Sequence, residues 1–517
     1  MTFVAKGGEC PFMEIEYDLL IVGGGINGAA IARDAAGRGA RVMLVEQDDL
    51  AAHTSSASTK LIHGGLRYLE QYEFRLVAKA LAERERLMRA APHLIRPLEF
   101  VLPHDRGMRP VWMMRIGLFL YDHLGGRSSL PRSRAIRLDT DGYGSAIQSK
   151  YTQGYRYADC WGDDSRLVVA NVQDAAEHGA TVMTRTRCLS AQRHREGWTL
   201  SLQCADGTTK SVTARILVNA TGSWAADFLP QRAGIPGAGT LRLIKGSHIV
   251  TRKLFDGEHA YILQNPDKRI VFAIPYEDEF TLIGTTDVEW QGAPDAVAID
   301  ATETDYLCES VNRWFTTQIA PRDVLWSFAG VRPLYDDATT NASEISRDYV
   351  LSLDHADGAA PVMSIFGGKI TTHRALAEEV MDKLARHLPG LQSAWTGKAP
   401  LPGGDLGERG LAGLVADVQR VAGFLDEQTV RRLAQSYGSR VFAFLGTAKT
   451  MGDLGQSFGA GLTQAEVDYL LGNEWAQTAD DILWRRSKLG LHMRAEEVEA
   501  LKAYLADHAR VEAKAAE

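Results

Sequence analysis

A glycine-rich turn between two apolar segments constrains this chain more than any other feature. Residues 17–46 are YDLLIVGGGINGAAIARDAAGRGARVMLVE. The run Leu19–Val22 is typical of a buried parallel strand, and the alanine-rich stretch after Gly28 is typical of a helix packed closely on it. A strand, a G-x-G-x-x-G turn, a helix, a second strand and a terminal acid together predict a dinucleotide-binding βαβ unit.

Each position of this motif has a physical role in holding a dinucleotide. Gly23 makes the tight turn, Gly25 lets the backbone approach a pyrophosphate, and Gly28 lets helix and strand pack closely. The helix N-terminus offers N–H groups and a partial positive charge to the pyrophosphate. Glu46 is placed to accept hydrogen bonds from ribose hydroxyls. The alternative, a glycine-rich turn without a ligand, is disfavoured because the strand, helix and acid all occur at the expected spacing.

Length and composition limit the remaining possibilities. A chain of 517 residues is too long for one hydrophobic core, and its content of hydrophobic and charged residues is ordinary for a globular protein. The net charge of −8 argues against a nucleic-acid partner. The five cysteines are scattered and include no C-x-x-C pair, so we expect neither a disulfide framework nor a metal site.

The N-terminal residues and the hydropathy pattern bear on location. Residues 1–16 lack the apolar core of a signal peptide and are expected to form a disordered lead-in. Because no run reaches the roughly 18 apolar residues of a membrane span, we expect a cytoplasmic protein. Attachment to a membrane surface stays open at this point.

The most apolar stretch of the chain is residues 111–121, VWMMRIGLFLY. It is too short to span a membrane, and Arg115 interrupts it. Two interpretations compete, a buried core helix and an amphipathic helix lying in a membrane interface. The sequence alone favours the core helix, since apolar stripes on helices usually face a core.

A second glycine-containing segment follows the βαβ unit. Residues 52–70, AHTSSASTKLIHGGLRYLE, are rich in hydroxyl groups and then turn basic and aromatic. Such a loop suits the phosphates and ring edge of a cofactor, because small hydroxyl residues leave backbone N–H groups accessible. A surface loop that caps the next helix is the alternative, and spacing alone does not separate the two.

Four strings in the chain are similar to one enzyme family. Residues 55–77 (SSASTKLIHGGLRYLEQYEFRLV), 220–224 (ATGSW), 246–248 (GSH) and 365–372 (IFGGKITT) resemble the FAD-dependent, quinone-linked glycerol-3-phosphate dehydrogenases. The resemblance runs from about Asp18 to about Leu505. It implies FAD as cofactor, sn-glycerol 3-phosphate as substrate, dihydroxyacetone phosphate as product, and ubiquinone or menaquinone as electron acceptor. It also implies a peripheral position on the inner face of the cytoplasmic membrane.

The fold class expected from the motifs and the resemblance has three parts. They are an α/β FAD-binding domain of the Rossmann-like, glutathione-reductase and D-amino-acid-oxidase type, an antiparallel-sheet substrate domain, and a C-terminal α-helical domain. The expected boundaries are 17–400 for the FAD-binding domain, with the substrate domain interleaved at about 78–150 and 240–350, and 401–517 for the helical cap. In the cap, apolar periodicity predicts helices at 415–424, 427–437, 440–445, 464–471, 480–489 and 495–506.

The resemblance extends the set of cofactor-binding residues beyond the first motif. The glycine pair before Lys369 opens a predicted helix, which would direct backbone donors at the electron-rich edge of a flavin. The candidate FAD-binding residues are Gly23, Gly25, Gly28, Glu46, Ser55, Ser56, Thr59, Lys60, Leu61, His63, Gly64, Gly222, Gly368 and Thr371.

Oxidation of a phosphorylated secondary alcohol sets the demands on the substrate site. A hydride must leave carbon, a proton must leave oxygen, and the phosphate needs cationic partners, for which arginine is the best match. The candidate substrate-binding residues, all in family-like stretches, are Arg67, Tyr68, Arg332, Arg347 and Lys369. The candidate catalytic residues are His248, Arg332 and Lys369. His63 is a weaker candidate for the base, and contact with flavin is its alternative role.

Three other functions compete with that of the dehydrogenase. An oxidase would use the same substrate and reduce oxygen, and an amino-acid or sarcosine oxidase of the same fold would need a carboxylate clamp. A non-enzymatic flavin sensor is disfavoured, because unneeded buried charge is costly. The sequence does not decide the electron acceptor, the membrane-contact surface, the proton-accepting base or the oligomeric state, for which a homodimer is one candidate.

Overall fold

Strands dominate the first 370 residues of the chain, and helices dominate the remainder. The computed structural model describes residues 14–105, 108–237, 239–336, 348–355 and 358–516, so most of the predicted lead-in lies outside the described residues. The strands in these ranges are β1 (Tyr17–Val22), β2 (Val42–Val45), β3 (Leu61–Ile62), β4 (Ile95–His104), β5 (Arg134–Arg137), β6 (Gln153–Gly162), β7 (Thr181–Met183), β8 (Arg187–Arg193), β9 (Trp198–Gln203), β10 (Thr209–Asn219), β11 (Leu241–Arg252), β12 (Ala260–Gln264), β13 (Ile270–Tyr276), β14 (Phe280–Gly284), β15 (Val288–Glu289), β16 (Val324–Tyr335), β17 (Val350–Asp354), β18 (Val362–Phe366), β19 (Ser457–Gly459) and β20 (Leu462–Thr463).

The helices flank the sheets and form the C-terminal region. The α-helices in the described ranges are α1 (Ile26–Gly37), α2 (Phe74–Ala90), α3 (Val111–Leu124), α4 (Asp164–Glu177), α5 (Ala225–Ala233), α6 (Ala301–Asn312), α7 (His373–Leu384), α8 (Gly410–Val421), α9 (Glu427–Tyr437), α10 (Val441–Leu445), α11 (Gln464–Glu474) and α12 (Ala495–Ala516).

The first sheet is the dinucleotide-binding sheet that the glycine motif predicts. Its strands run in the order β17-β18-β10-β1-β2-β7, and β9 and β8 extend it from β10. Strand β1 lies parallel to both β2 and β10, with Leu19 opposite Val42 on one side and Ile216 on the other. Apolar residues of α1, α4 and α7 pack on one face of the sheet. Because β1 is covered on both sides, its residues form the continuous apolar run seen in the sequence.

The second sheet is largely antiparallel and carries the predicted substrate region. Its ten strands include the path β15-β11-β14-β13-β12-β4-β6-β3, with β16 paired to β11 and β5 paired to β6. Strands β11 and β16 are in a register that places Ile244 opposite Arg332 and His248 opposite Phe328. The sheet therefore draws on residues 61–162 and 241–335, and the predicted domain boundaries stay a prediction. The expected α/β fold with an added antiparallel sheet is confirmed.

The C-terminal helices enclose a hydrophobic core of their own. Residues of α8 to α12, including Val430, Leu470 and Leu501, are buried against one another. Residues 480–489, predicted as one regular helix, form instead a π-helical turn at Asp481–Arg486 and a single 3₁₀ turn at Leu489–Leu491. The segment makes ion pairs with Asp49 and Arg185, distant residues that the periodicity of the sequence does not reveal.

Helix α3 is amphipathic, so the expectation of a buried core helix is wrong. Its inner face, Met114, Leu118 and Tyr121, is buried. Its outer face leaves five large apolar side chains more than a third exposed, namely Val111, Trp112, Met113, Ile116 and Phe119. Apolar residues occupy both faces of this helix, and composition alone could not say which face meets the core. Among the described helices, none is both long enough and apolar enough to cross a lipid bilayer.

Candidate active site

The glycine turn between β1 and α1 has the geometry that the sequence predicts. Gly23 has φ of +112°, and a Cβ added there would lie 2.4 Å from the carbonyl oxygen of Ala220. A Cβ at Gly28 would lie 1.9 Å from the carbonyl oxygen of Gly23. A Cβ at Gly25 would approach only the Ser55 hydroxyl, at 3.0 Å. Gly23 and Gly28 are therefore required by the fold, whereas Gly25 keeps open the space in front of the helix.

Glu46 lies at the end of β2 and faces this turn. Its Oε2 accepts a hydrogen bond from the backbone N–H of Gly24 at 2.6 Å, and its Oε1 accepts one from Asp48 N at 2.9 Å. Burial raises the pKa of Glu46, although the two backbone N–H groups oppose that shift. The carboxylate is thus fixed in orientation, with lone pairs remaining for ribose hydroxyls.

A cofactor groove of about 640 Å³ starts at this turn. It is lined by Gly23, Gly25, residues 46–48, 51–55, 185–188 and 220–224. The N-cap residue of α1 is Gly25, which has no side chain, and Ile26 N donates to the Ser55 hydroxyl at 3.0 Å. The groove has the glycine cradle, the helix N-terminus and the acid that a dinucleotide needs, so these residues fit a bound FAD.

The two glycine-containing turns identified in the sequence, Gly23–Gly28 and Gly367–Gly368, lie next to each other. Asn27, at the start of α1, donates from Nδ2 to the carbonyl oxygen of Gly367 at 3.0 Å. A Cβ on Gly368, whose φ is +104°, would lie 3.1 Å from that Nδ2. The first βα turn and the Gly367–Gly368 turn therefore border one continuous region, although 340 residues separate them.

The other predicted cofactor residues divide by position. Gly23, Gly25, Glu46, Ser55 and Gly222 line the cofactor groove, and Gly368 lines the neighbouring substrate cavity. The remaining residues lie behind these surfaces or beside them, namely Gly28, Ser56, Thr59, Lys60, Leu61, His63, Gly64 and Thr371. Their roles toward FAD stay predictions.

Several of these residues are held by buried partners. The Lys60 ammonium donates to Asp164 Oδ1 at 2.8 Å and to the Ser56 carbonyl oxygen at 3.1 Å. His63 N donates to the Thr371 hydroxyl at 3.2 Å. The backbone N–H of Gly64 donates to the Tyr121 hydroxyl at 2.9 Å, which links this loop to helix α3.

A second cavity of about 540 Å³, the substrate cavity, brings together four of the five predicted substrate-binding residues. Arg67, Tyr68, Arg332 and Lys369 line it, and the Lys369 ammonium lies 3.6 Å from the centre of the Tyr68 ring. These residues come from three distant parts of the chain. The fifth, Arg347, lies outside the described residues. The cavity has the arginine forks and the ammonium that a phosphate ester requires.

Acidic residues also line the substrate cavity, and the sequence analysis missed them. Asp287 forms a close ion pair with Arg332, and its second oxygen lies 4.0 Å from Arg67 Nη1. Asp267, Glu289 and Asp348 line the same space. Asp287 comes three residues after Gly284, the last residue of β14. An acidic residue just after a strand that ends in glycine is the pattern by which the sequence could have identified it.

His248 lies behind the substrate cavity and not among its lining residues. Its Nε2 lies 2.9 Å from the Thr59 hydroxyl, and its ring stacks on Phe328 with centroids 4.7 Å apart. Burial, together with the positive charges of Lys60 and Arg332, lowers the pKa of His248 to about 3. The imidazole is therefore neutral near pH 7. Its predicted role as the proton acceptor stays a prediction.

The depressed pKa of His248 predicts a dependence of stability on pH. Protonation favours the unfolded chain, where the pKa is 6.5, so the stabilisation is complete above pH 6.5 and is lost as the pH falls toward 3. Between pH 6.5 and pH 5 the wild type should lose about 2 kcal/mol through this group. His248→Asn should lose less, measured as a smaller drop in Tm across that range. Equal drops in the two proteins would contradict the burial of a neutral imidazole.

These features define a class of protein, an FAD-dependent oxidoreductase. A sequence model of the FAD-dependent oxidoreductase family matches residues 18–374, which include the cofactor groove and the substrate cavity. A model described as the C-terminal domain of alpha-glycerophosphate oxidase matches residues 394–512, the helical region. The predicted cofactor, FAD, and the predicted fold class are confirmed.

Full-length relatives identify the family within this class. The chain is 53% identical to a glycerol-3-phosphate dehydrogenase of Pseudomonas aeruginosa, over 96% of each chain. It is 48% identical to a D-erythritol 1-phosphate dehydrogenase of Brucella abortus, over 93% of this chain and 96% of that one. The crystal structure of a glycerol-3-phosphate dehydrogenase from Bacillus halodurans complexed with FAD superposes with a TM-score of 0.75 at 26% identity, covering 95% of this chain and 90% of that chain. The chain belongs to the FAD-dependent glycerol-3-phosphate dehydrogenase family, as the sequence motifs predicted.

Proposed function

We propose that this enzyme oxidises sn-glycerol 3-phosphate to dihydroxyacetone phosphate. The observation that carries the proposal is the meeting of Arg67, Arg332 and Lys369 in one cavity directly beside the cofactor groove. Three cations are suited to a phosphate ester that bears nearly two negative charges, and arginine binds its oxygens bidentately. The relative from Pseudomonas aeruginosa is named for the same substrate.

The residues of the substrate cavity account for the steps that the protein itself must perform. Arg332 and Arg67 hold the phosphate and release Asp287, so that the carbon bearing the secondary hydroxyl is oriented toward the cofactor. Bound FAD supplies a two-electron acceptor for the hydride that leaves this carbon. His248 lies behind the cavity, so we assign to it the relay of the hydroxyl proton through the Thr59 hydroxyl, which lies 2.9 Å from its Nε2.

A four-carbon polyol phosphate is the second candidate substrate. The erythritol 1-phosphate enzyme is nearly as similar to this chain as the glycerol 3-phosphate enzyme is. The substrate cavity also continues past the arginines to the turn between β12 and β13, where Asp267, Lys268 and Arg269 line it. Further hydroxyl groups of a longer substrate would meet these charged side chains.

Anaerobic reduction of the bound flavin tests the substrate directly. The purified holoenzyme is mixed with sn-glycerol 3-phosphate, D-erythritol 1-phosphate, glycerol or glycine, and the loss of the oxidised flavin band is followed. We expect fast bleaching by sn-glycerol 3-phosphate and negligible bleaching by glycerol, which lacks the phosphate. Faster bleaching by D-erythritol 1-phosphate would transfer the assignment to the longer substrate, and bleaching by glycine alone would overturn both.

We further propose a membrane quinone as the electron acceptor. A cavity of about 220 Å³, the aromatic cavity, is lined by Trp224, Trp326, Phe328 and Trp484 and shares His53 and Thr54 with the cofactor groove. Trp326 and Trp484 stack with centroids 4.5 Å apart. Aromatic walls of this kind suit a planar ring such as a quinone headgroup. Stoichiometric reduction of a soluble quinone analogue without oxygen supports this acceptor, whereas efficient peroxide formation in air would favour an oxidase.

The outer face of α3 is the proposed contact with the membrane surface. Five apolar side chains project from it, including Trp112 and Phe119, each 61% exposed. Arg115 is exposed on the same helix, and Arg127 and Arg132 are exposed in the segment that follows it. This pattern is typical of a helix that lies in the interface of an anionic bilayer. We propose the inner face of the cytoplasmic membrane as its place of action.

Replacing the two aromatic anchors should weaken this contact. The double variant Trp112→Glu/Phe119→Glu should bind phosphatidylglycerol-containing vesicles roughly a hundredfold less tightly, because each aromatic side chain contributes about 1.5 kcal/mol or more on burial. Vesicle co-sedimentation measures the effect. Phe442→Glu, at an exposed aromatic residue of α10, is the matched control and should bind like the wild type. Unchanged binding by the double variant would remove α3 from the interface.

A further inference from the structure

The C-terminal helical region meets the loop that forms one wall of the cofactor groove. Asp49 lies in this loop, three residues after Glu46. Its carboxylate accepts hydrogen bonds from Arg486 Nη1 at 2.9 Å and Nη2 at 2.8 Å, and from Arg485 Nε at 2.6 Å. The side chains of Asp49 and Arg486 are 1% and 0% exposed. This is a bidentate, fully buried ion pair that joins two regions more than 430 residues apart.

The same segment also contacts a neighbouring residue of the groove, Arg185, whose backbone N–H donates to the Asp48 carbonyl oxygen at 2.9 Å. Arg185, which lines the groove, donates from Nη2 to Asp481 Oδ2 at 2.7 Å. Arg485 pairs with the other oxygen of Asp481, so that one turn of the C-terminal region contacts both Asp49 and Arg185. Burial alone would raise the pKa of Asp481, but the backbone N–H of Gln477 and the charge of Arg185 outweigh it and lower the pKa to about 2. Asp481 is therefore ionised near neutral pH.

Asp49 does not itself line the cofactor groove, but its neighbours on both sides do. Glu46 precedes it, and residues 51–55, which include the Ser55 hydroxyl at the N-terminus of α1, follow it. The loop has little regular structure between β2 and the 3₁₀ turn at Thr54–Ser56. Backbone hydrogen bonds such as Arg185 N to the Asp48 carbonyl oxygen hold part of it. The charged side-chain contacts to Asp49 come from Arg485 and Arg486.

We propose that the C-terminal helical region is part of the FAD site, with Arg485 and Arg486 acting as positioning residues. They hold Asp49, and through it the segment from Glu46 to Ser55, in the conformation that binds the cofactor. Without Arg486 the Asp49 carboxylate would be buried with a missing partner, and the loop would move to bring it to water. FAD binding would then have to order the loop again, which lowers affinity. The inference concerns the cofactor alone and is independent of the proposed substrate.

A second buried ion pair, inside the C-terminal region, provides a control. It distinguishes an effect on the cofactor loop from an effect on the general stability of the fold. Arg432 donates from Nη1 and Nη2 to the two oxygens of Glu466 at 2.6 and 2.8 Å. This pair is also bidentate and largely buried, and neither residue lines the cofactor groove. Loss of either pair should destabilise the fold, but only loss of the Arg486 pair should change the affinity for FAD.

The test is a titration of FAD into the apo forms of the full chain, followed by quenching of flavin fluorescence, with Tm measured in parallel. Arg486→Gln should raise the Kd for FAD about tenfold to a hundredfold. Arg432→Gln should leave that Kd within a factor of two, whatever its effect on Tm. Equal changes of Kd in the two variants, or no change in Arg486→Gln, would overturn the proposal.

A second variant keeps the test decisive if Arg486→Gln does not fold. Asp49→Asn removes the charge with almost no change of shape, and it should also raise the Kd for FAD. If both single variants fold, the double variant Asp49→Asn/Arg486→Gln should bind FAD no more weakly than the weaker single variant, since both changes break one interaction. If the increase of the Kd in the double variant equalled the product of the increases in the two single variants, the proposed coupling would be contradicted. Because the readout is binding of FAD, failure here leaves the substrate proposal intact, and failure of the substrate test leaves this one intact.

Discussion

Arg332→Ala is expected to raise the KM for sn-glycerol 3-phosphate by about a hundredfold, with flavin content unchanged. Arg332 lines the substrate cavity and forms an ion pair with Asp287. Truncation of a group that holds a charged ligand typically costs about 3 kcal/mol, which corresponds to about a hundredfold in affinity. The remaining cations, Arg67 and Lys369, would retain part of the binding. Steady-state kinetics and the flavin absorption of the purified variant measure the two quantities.

The fold should tolerate this substitution. The side chains of Arg332 and Asp287 are 40% and 30% exposed, so water can solvate the carboxylate that is left without its partner. Arg242→Ala is the matched control, because Arg242 is an arginine of the adjacent strand β11 that pairs with Glu289 and does not line the cavity. Its KM should stay close to that of the wild type. An unchanged KM in Arg332→Ala would remove Arg332 from the phosphate site.

Gly25→Val should leave the protein folded and abolish FAD binding under ordinary conditions. The backbone at Gly25 is extended, with φ of −78°, so a side chain causes no strain there. The added Cβ would approach only the Ser55 hydroxyl and would occupy the space in front of the N-terminus of α1. The pyrophosphate would lose several hydrogen bonds to charged oxygens at about 1.5 kcal/mol or more each, which lowers affinity by about a thousandfold.

The measurement for Gly25→Val pairs flavin content with an independent test of folding. The variant should be purified colourless, should not take up added FAD, and should show a circular dichroism spectrum like that of apo wild type. Gly472→Ala is the control, since a Cβ there has open space within 4 Å, and it should keep its flavin. A yellow Gly25→Val protein with ordinary FAD affinity would mean that the pyrophosphate does not lie at this turn.

The sequence did not reveal which face of α3 is exposed. The apolar stretch 111–121 marks its start, and the observed helix, Val111–Leu124, extends three residues further. Its environment was not correctly predicted, because apolar residues cover both the inner face, with Leu118, and the outer face, with Trp112 and Phe119. Local periodicity cannot rank two apolar faces. Only the packing of Met114, Leu118 and Tyr121 on the second sheet identifies the inner one.

In the substrate cavity, too, the sequence identified residues that lie in recognisable motifs and missed one that matters through a tertiary contact. Arg67, Tyr68, Arg332 and Lys369 were chosen from separate strings of the sequence and meet in one cavity. Asp287 was not chosen, because its relevance comes from its contact with Arg332, 45 residues away. His248 was chosen from its residue type, and the structure places it behind the cavity against Thr59.

The sequence by itself determined the dinucleotide-binding unit, the cofactor and the family. Those features depend on short segments in which backbone geometry permits few residues, such as glycine at Gly23 and Gly28, where any side chain would collide with a neighbouring carbonyl. The tertiary structure alone decided which charges pair, which face of α3 is exposed, and that Asp49 of the cofactor loop is held by Arg486. Such partners are separated by up to hundreds of residues, and an ion pair requires only opposite charge and proximity, so no spacing in the chain records it.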